Sequence, residues 1–82
     1  MPNQSVAVKA VWDDEAKVWV AESNDVPGLV AEASHREELV RKLSGLIPEL
    51  LELNESSLDR TKPIEMVLQF GGEERIVLSV AA

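Results

Sequence analysis

Three short segments carry the residue types that chemistry uses. Asp13-Asp14-Glu15 sets three carboxylates in succession. Oxygen donors this close together hold hard cations. The run lacks the Asp-x-Asp-x-Asp-Gly spacing of a calcium loop, however, and it falls between two alternating apolar runs. It reads as a solvated hairpin turn. His35 is the one histidine, and there is no cysteine. Nucleophilic catalysis needs a nucleophile, a base and a group that orients the base. His35 stands where a helix begins and reads as a solvated first-turn residue. Gly71-Gly72-Glu73-Glu74 has the glycines of a phosphate loop but not its lysine or its strand-to-helix setting, and two glutamates repel phosphate. No catalytic residue, metal ligand or cofactor site is expected.

The chain that must position any site is short. It has 82 residues, enough for one domain. Domains of this size bury roughly 60–65% of their unfolded surface, so stability rests on one small core. Without cysteine there is no disulfide or zinc staple. Eight Lys and Arg against fifteen Asp and Glu give a net charge of −7. A nucleic-acid surface needs clustered positive charge, and so does an anionic membrane face. Neither partner is expected. Acidic charge keeps a chain dispersed and steers basic partners. Met1-Pro2-Asn3-Gln4 shows no basic-then-apolar leader, and no apolar run reaches membrane-spanning length. A cytoplasmic location is the expectation.

Alternation marks the strands. Val6, Val8, Ala10 and Trp12 share one parity over Ser5 to Trp12, and Val18 to Ser23 alternates again after the acidic turn. Two such runs joined by a short polar loop make a β-hairpin. Asn24-Asp25-Val26-Pro27-Gly28 is the strongest turn signal, since proline fixes φ and glycine accepts positive φ. Leu29 to Ala33 follows as a short strand. Ser34 with Glu37 has the spacing of a capping box that opens a helix. Leu39, Leu43, Leu46 or Ile47, Leu50 and Leu53 recur at helical spacing, widened by Val40 and Leu51. The helix is expected over about 34–53. Pro48 removes a ladder bond inside it, which predicts a kink or two helices in series. A polar linker over 55–62 leads to a C-terminal hairpin over 63–81. Its first strand alternates Ile64, Met66, Leu68 and Phe70, Gly71-Gly72 is a two-residue turn, and Ile76, Leu78 and Val80 point inward.

The order β-β-β-α-β-β predicts an α+β domain, with one helix covering one face of a single sheet. If Trp12 lies opposite Val18, the helix-side face holds Val6, Val8, Ala10, Val18, Val20, Ile64, Met66, Leu68 and Ile76. Trp19 then falls on the other face with Ala7, Val11, Ala21 and Val67. An uncovered apolar face with an aromatic centre is what protein interfaces use. Val11, Trp19, Ala21 and Val67 are therefore the candidate interface, and self-association is expected through this face or through the terminal hairpin.

Three segments in order carry a family resemblance. They are Val8-Lys9-Ala10-Val11-Trp12-Asp13, Val18-Trp19-Val20-Ala21 followed by Asp25-Val26-Pro27-Gly28-Leu29, and Ile47-Pro48-Glu49-Leu50-Leu51-Glu52-Leu53-Asn54. Over roughly residues 5–70 the chain resembles the HicB-like antitoxin superfamily, and more closely a short domain-of-unknown-function subfamily within it. The resemblance implies a partial ribonuclease-H-like fold with sheet order 3-2-1-4, strand five joining beside four. It implies a protein-binding, non-catalytic role, with a small basic ribonuclease toxin of the HicA type as partner. Ribonuclease H catalytic carboxylates are not carried by that superfamily. Many members add a C-terminal DNA-binding domain. After Asn54 this chain offers a linker and a hairpin, so DNA binding is not expected. The competing expectation is a structural homo-oligomer without a toxin partner.

Overall fold

Val6, Val8 and Ala10 are buried while Ser5, Ala7 and Lys9 between them are exposed, so the opening strand turns its β-branched residues to one side. The computed structural model describes residues 4–54, 58 and 62–78. Within it run β1 (Gln4–Asp13), β2 (Val18–Glu22), β3 (Val30–Ala33), α1 (Arg36–Leu53), β4 (Ile64–Gln69) and β5 (Glu73–Leu78). They form one five-stranded sheet in the order β3-β2-β1-β4-β5. β1 and β4 pair in parallel and the other neighbours are antiparallel. The α+β class, the element order and the sheet order all follow the sequence expectation. Most of the expected linker over 55–62, and residues 79–81 of the expected hairpin with Val80, lie outside the described residues.

The core lies between the sheet and α1. Leu39, Leu43, Ile47 and Leu51 recur every four residues and are fully buried. Opposite them lie Val6, Val8, Ile64, Met66 and Leu68. At the Leu46-or-Ile47 position it is Ile47 that enters, while Leu53 is 72% exposed and leaves the stripe. A helix turns about 100° per residue, so a strict four-residue repeat drifts slowly around the axis and carries Leu51, not Leu53, onto the sheet. Ala10, Ala21 and Ala31 line up across β1, β2 and β3 beneath the helix, with Ala33 beyond. Such small side chains let a helix approach a sheet closely, and α1 lies over β2 and β3.

Local structure departs from expectation at four points. The capping box does not form: helix bonding starts one residue late, with His35 in extended conformation (φ −125°, ψ 145°) at the cap position and its side chain making no cap bond. Ser34 is thus one residue too early to reach the third helical N–H. Leu39 N–H donates to the His35 carbonyl at 3.0 Å as the first turn closes. Second, of the two forms expected at Pro48 the split into two helices is not found: α1 runs through it as one helix of 18 residues. Third, the β4–β5 connection spans Phe70, Gly71 and Gly72, because Gln69 pairs with Glu73. The turn is three residues long, with Gly71 at φ 95°.

The fourth departure matters most. Asp13 pairs with Val18, so the β1–β2 loop is Asp14 to Lys17 and Trp12 lies opposite Trp19. A one-residue change of register exchanges the two faces of a strand. Trp19 and Ala21 therefore face α1, and Val18 and Val20 face away from it. Lys17 makes this register: it sits at φ 59°, with its N–H donating to the Asp13 carbonyl at 2.7 Å. The Val-Trp-Val-Ala run of β2 is apolar at both parities, so alternation alone does not decide which side goes in.

Candidate protein interface

The groups singled out for chemistry are occupied by local structure. Asp13 Oδ1 accepts from the Glu15 and Ala16 N–H groups at 3.0 and 3.1 Å, which builds the turn. Asp14 pairs with Lys17 at 2.9 Å. Among the described residues no group of three acidic or histidine side chains converges. The Pro-Gly turn is likewise structural. Val26 and Leu29 are buried on either side of it, Leu29 N–H donates to the Val26 carbonyl at 3.1 Å, and Gly28 holds φ 85°. Proline second and glycine third, with positive φ at the glycine, is the pattern of a type II turn. Asn54, just past α1, donates from Nδ2 to the Pro27 carbonyl at 2.9 Å and ties the turn to the helix end.

Asp25 does a job that a ladder partner would otherwise do. β1 continues toward its start beyond the end of β2, so Ala7 has no β2 residue to pair with. Its N–H donates instead to Asp25 Oδ2 at 2.8 Å, and its carbonyl accepts from Ser23 Oγ. Asp25 N–H in turn donates to Ser23 Oγ at 3.0 Å. A shallow open depression lined by Ala7, Lys9, Glu22, Ser23, Asn24 and Asp25 lies over this knot. Two of its polar side chains, Ser23 and Asp25, are committed to holding the strand.

Two surfaces remain. The first is the sheet face opposite α1. There Val11 is 53% exposed, Val30 69% and Val77 57%, with Val18, Val20 and Val67 half-buried among them. No second layer covers this face among the described residues. Glu32 stands opposite Val20, Glu22 opposite both Val30 and Lys9, and Asp13 opposite Val18. On the β4–β5 side, Arg75 bridges Glu65 at 2.6 Å and Glu73 at 3.0 Å. The hydrogen bond and charge of Glu65, then the charge of Glu73, raise the Arg75 pKa above its ordinary value.

The second surface is an aromatic corner on the α1 side. It gathers every aromatic residue in the chain, Trp12, Trp19 and Phe70. Trp19 stacks edge-on against Trp12 at 5.5 Å and against Phe70 at 6.5 Å between centroids. Arg36 at the start of α1 lies 5.5 Å over the Phe70 ring and pairs with Glu74. Trp19 is the middle ring and packs on the core; Trp12 is the outer ring, 41% exposed.

The four residues expected to form one interface are thus divided. Val11 and Val67 lie on the open face. Trp19 and Ala21 lie on the helix side, and Ala21 is fully buried. In their place the open face presents Val18, Val20, Val30 and Val77. The alanines carried the missing signal: pairing Ala10 with Ala21 puts small residues together where a helix presses, and that pairing sets the register found.

The chain belongs to the family described as domain of unknown function DUF1902, whose model matches residues 5–79. No curated protein matches it. Among solved structures it is similar to the hypothetical protein TTHA1013 from the extremely thermophilic bacterium Thermus thermophilus. The two share 51% identity with a TM-score of 0.76, over 82% of this chain and 92% of the other.

Proposed function

We propose that this DUF1902 protein is a non-catalytic protein-binding module whose open sheet face receives a basic protein partner. The observation that supports the reading is the uncovered face. Val11, Val30 and Val77 stay exposed on it although the chain is small and most of its opposite face is packed against α1. A sheet whose second face is polar is stable in water without help, and one studded with valine gains from being covered. Asp13, Glu22, Glu32, Glu65 and Glu73 share that face with Lys9 and Arg75, within a chain of net charge −7. Electrostatic complementarity then favours a basic partner.

The finer form of the proposal is an antitoxin-like, HicB-like module of the cytoplasm that occludes a small basic ribonuclease. The resemblance of the strand, turn and helix segments supports it, together with the acidic charge. Affinity capture from the native host at low salt, followed by reconstitution from pure components, tests both levels. The expected result is a small basic protein that binds near one-to-one and loses ribonuclease activity in the complex. A basic partner without nuclease activity removes the antitoxin form. No partner at all removes the proposal.

One observation favours a second reading, the structural homo-oligomer. β3 and β5 are both edge strands, and the two edges differ. On β3, Lys42 Nζ donates to the Glu32 carbonyl at 2.8 Å, so a helix side chain already occupies an edge acceptor. No such bond is seen along β5 among the described residues, which makes β5 the more open edge for a second copy. Light scattering on the pure protein separates the readings: a stable dimer with no foreign partner supports this one.

A further inference from the structure

We infer that the occupant of the open face is an amphipathic helix of the partner, its apolar stripe flanked by lysine or arginine, lying over β1, β2 and β3. The inference rests on the protein-binding reading and narrows it to one part of the face and one element. The apolar part is the cluster Val11, Val18, Val20 and Val30, on three adjacent strands. Strands lie about 4.8 Å apart, so the cluster is about 10 Å wide. That is about the diameter of one helix with its side chains. Two of these strands already receive a helix on their other side, where α1 packs over β2 and β3.

Charge selects among helices. Val18 and Val20 run along β2 with Glu22 at their end, Asp13 lies beside them on β1, and Glu32 lies beside them on β3. Carboxylates thus border the valines on three sides. The cation nearest the cluster on this face, Lys9, stands directly opposite Glu22. A helix with basic residues on both flanks of its stripe meets this border favourably. A second copy of this acidic face brings like charges together, and a phosphate backbone does the same. A strand added at the β3 edge must displace Lys42 from the Glu32 carbonyl.

The test uses the full chain and two synthetic probes. Each is a stapled helix of about 18 residues, so that helix formation is not the variable. Both carry leucine at helical spacing; one is flanked by lysine and the other has glutamate at the same positions. Binding is read by calorimetry and by amide chemical-shift mapping, on the wild type, on Val11→Asp and on Trp12→Ala. The expected result is that the lysine peptide binds at least about tenfold more tightly than its acidic twin, a difference of about 1.4 kcal/mol. Its shifts centre on Val11, Val18, Val20 and Val30. Val11→Asp abolishes this binding while its own spectrum stays folded, Trp12→Ala leaves it unchanged, and added salt weakens it.

Equal binding of the two peptides overturns the inference, as do shifts centred on the aromatic corner. Silence from both peptides overturns it too. If a captured partner still needs Val11 in that case, the face stands as a protein interface with a different kind of occupant. If that partner is indifferent to Val11→Asp, the proposed use of the face fails with the inference. A concentration-dependent dimer that Val11→Asp dissolves gives the face to a second copy and overturns the inference.

Discussion

At the scale of single residues, side chains that look available for chemistry are mostly holding backbone. Asp25 is the clearest case, because it accepts the N–H of Ala7 where β2 has ended. Asp25→Ala is expected to cost about 1–2 kcal/mol in urea unfolding, since it leaves the Ala7 N–H without its acceptor. Asp25→Asn keeps an acceptor and should cost less. If the two cost the same, the charge matters and not the hydrogen bond. The tryptophans divide in the same way. Trp19 lies between two rings and against the core, so Trp19→Ala should cost about 2–4 kcal/mol of folding stability. Trp12→Ala removes only the outer ring and should cost less than half as much. Equal losses would mean that Trp12 is as deeply packed as Trp19. Val11, exposed in mid-strand, should tolerate Asp with a change of at most about 1 kcal/mol.

At the scale of elements, α1 carries two imperfections that point to simple stabilising changes. Its cap residue, His35, makes no side-chain cap bond, so His35→Asp should add about 1 kcal/mol. The benefit comes from the acceptor reaching the second or third helical N–H, reinforced by negative charge at the positive end of the dipole. No gain in the thermal midpoint would mean that the chain enters the helix at an angle that no aspartate spans. Pro48 withholds its ladder bond from the Ser44 carbonyl, and Ser44 Oγ donates to the Val40 carbonyl one turn earlier. Pro48→Ala should therefore stabilise by about 1–3 kcal/mol by the same measurement, and a loss would show the proline to be built into the packing.

The elements also show what the sequence made legible. Strong alternation on β1, β4 and β5, the four-residue leucine ridge and the Pro-Gly turn specify the order and the sheet. Boundaries and faces were harder. Ser34 and His35 both stand before the first helical residue, and only the path of the chain decides which one caps. β2 is apolar on both sides, so its facing depends on a loop closed by a left-handed lysine, a conformation that residue type does not announce. That single register moved Trp19 and Ala21 off the candidate interface and put Val18 and Val20 onto it. Val30 was missed because β3 is short, although its alternation with Ala31 and Ala33 already assigns the alanines to the helix.

At the scale of the whole molecule, two apolar surfaces lie back to back at the β1–β2 end of one sheet. The aromatic corner is satisfied from within by stacking, by Arg36 and by Glu74. The valine face is not satisfied by anything described in the chain, and carboxylates surround it. No described helix is long and apolar enough to cross a membrane. The fold is shared with a hypothetical protein of solved structure at 51% identity. On this account the chain's specificity lies in what the sheet displays on its uncovered side.

The valines themselves offer the most direct test of that account. Methyl-labelled valine gives separate NMR signals for the open-face residues Val11, Val20, Val30, Val67 and Val77, and for the buried Val6, Val8 and Val26. The spectrum is recorded on the pure protein and again with its captured basic partner. The account predicts that Val11, Val20 and Val30 shift or broaden on binding while Val6, Val8 and Val26 hold their positions. A partner that binds and leaves the open-face methyls untouched, with changes only near Trp12 and Phe70, would contradict it.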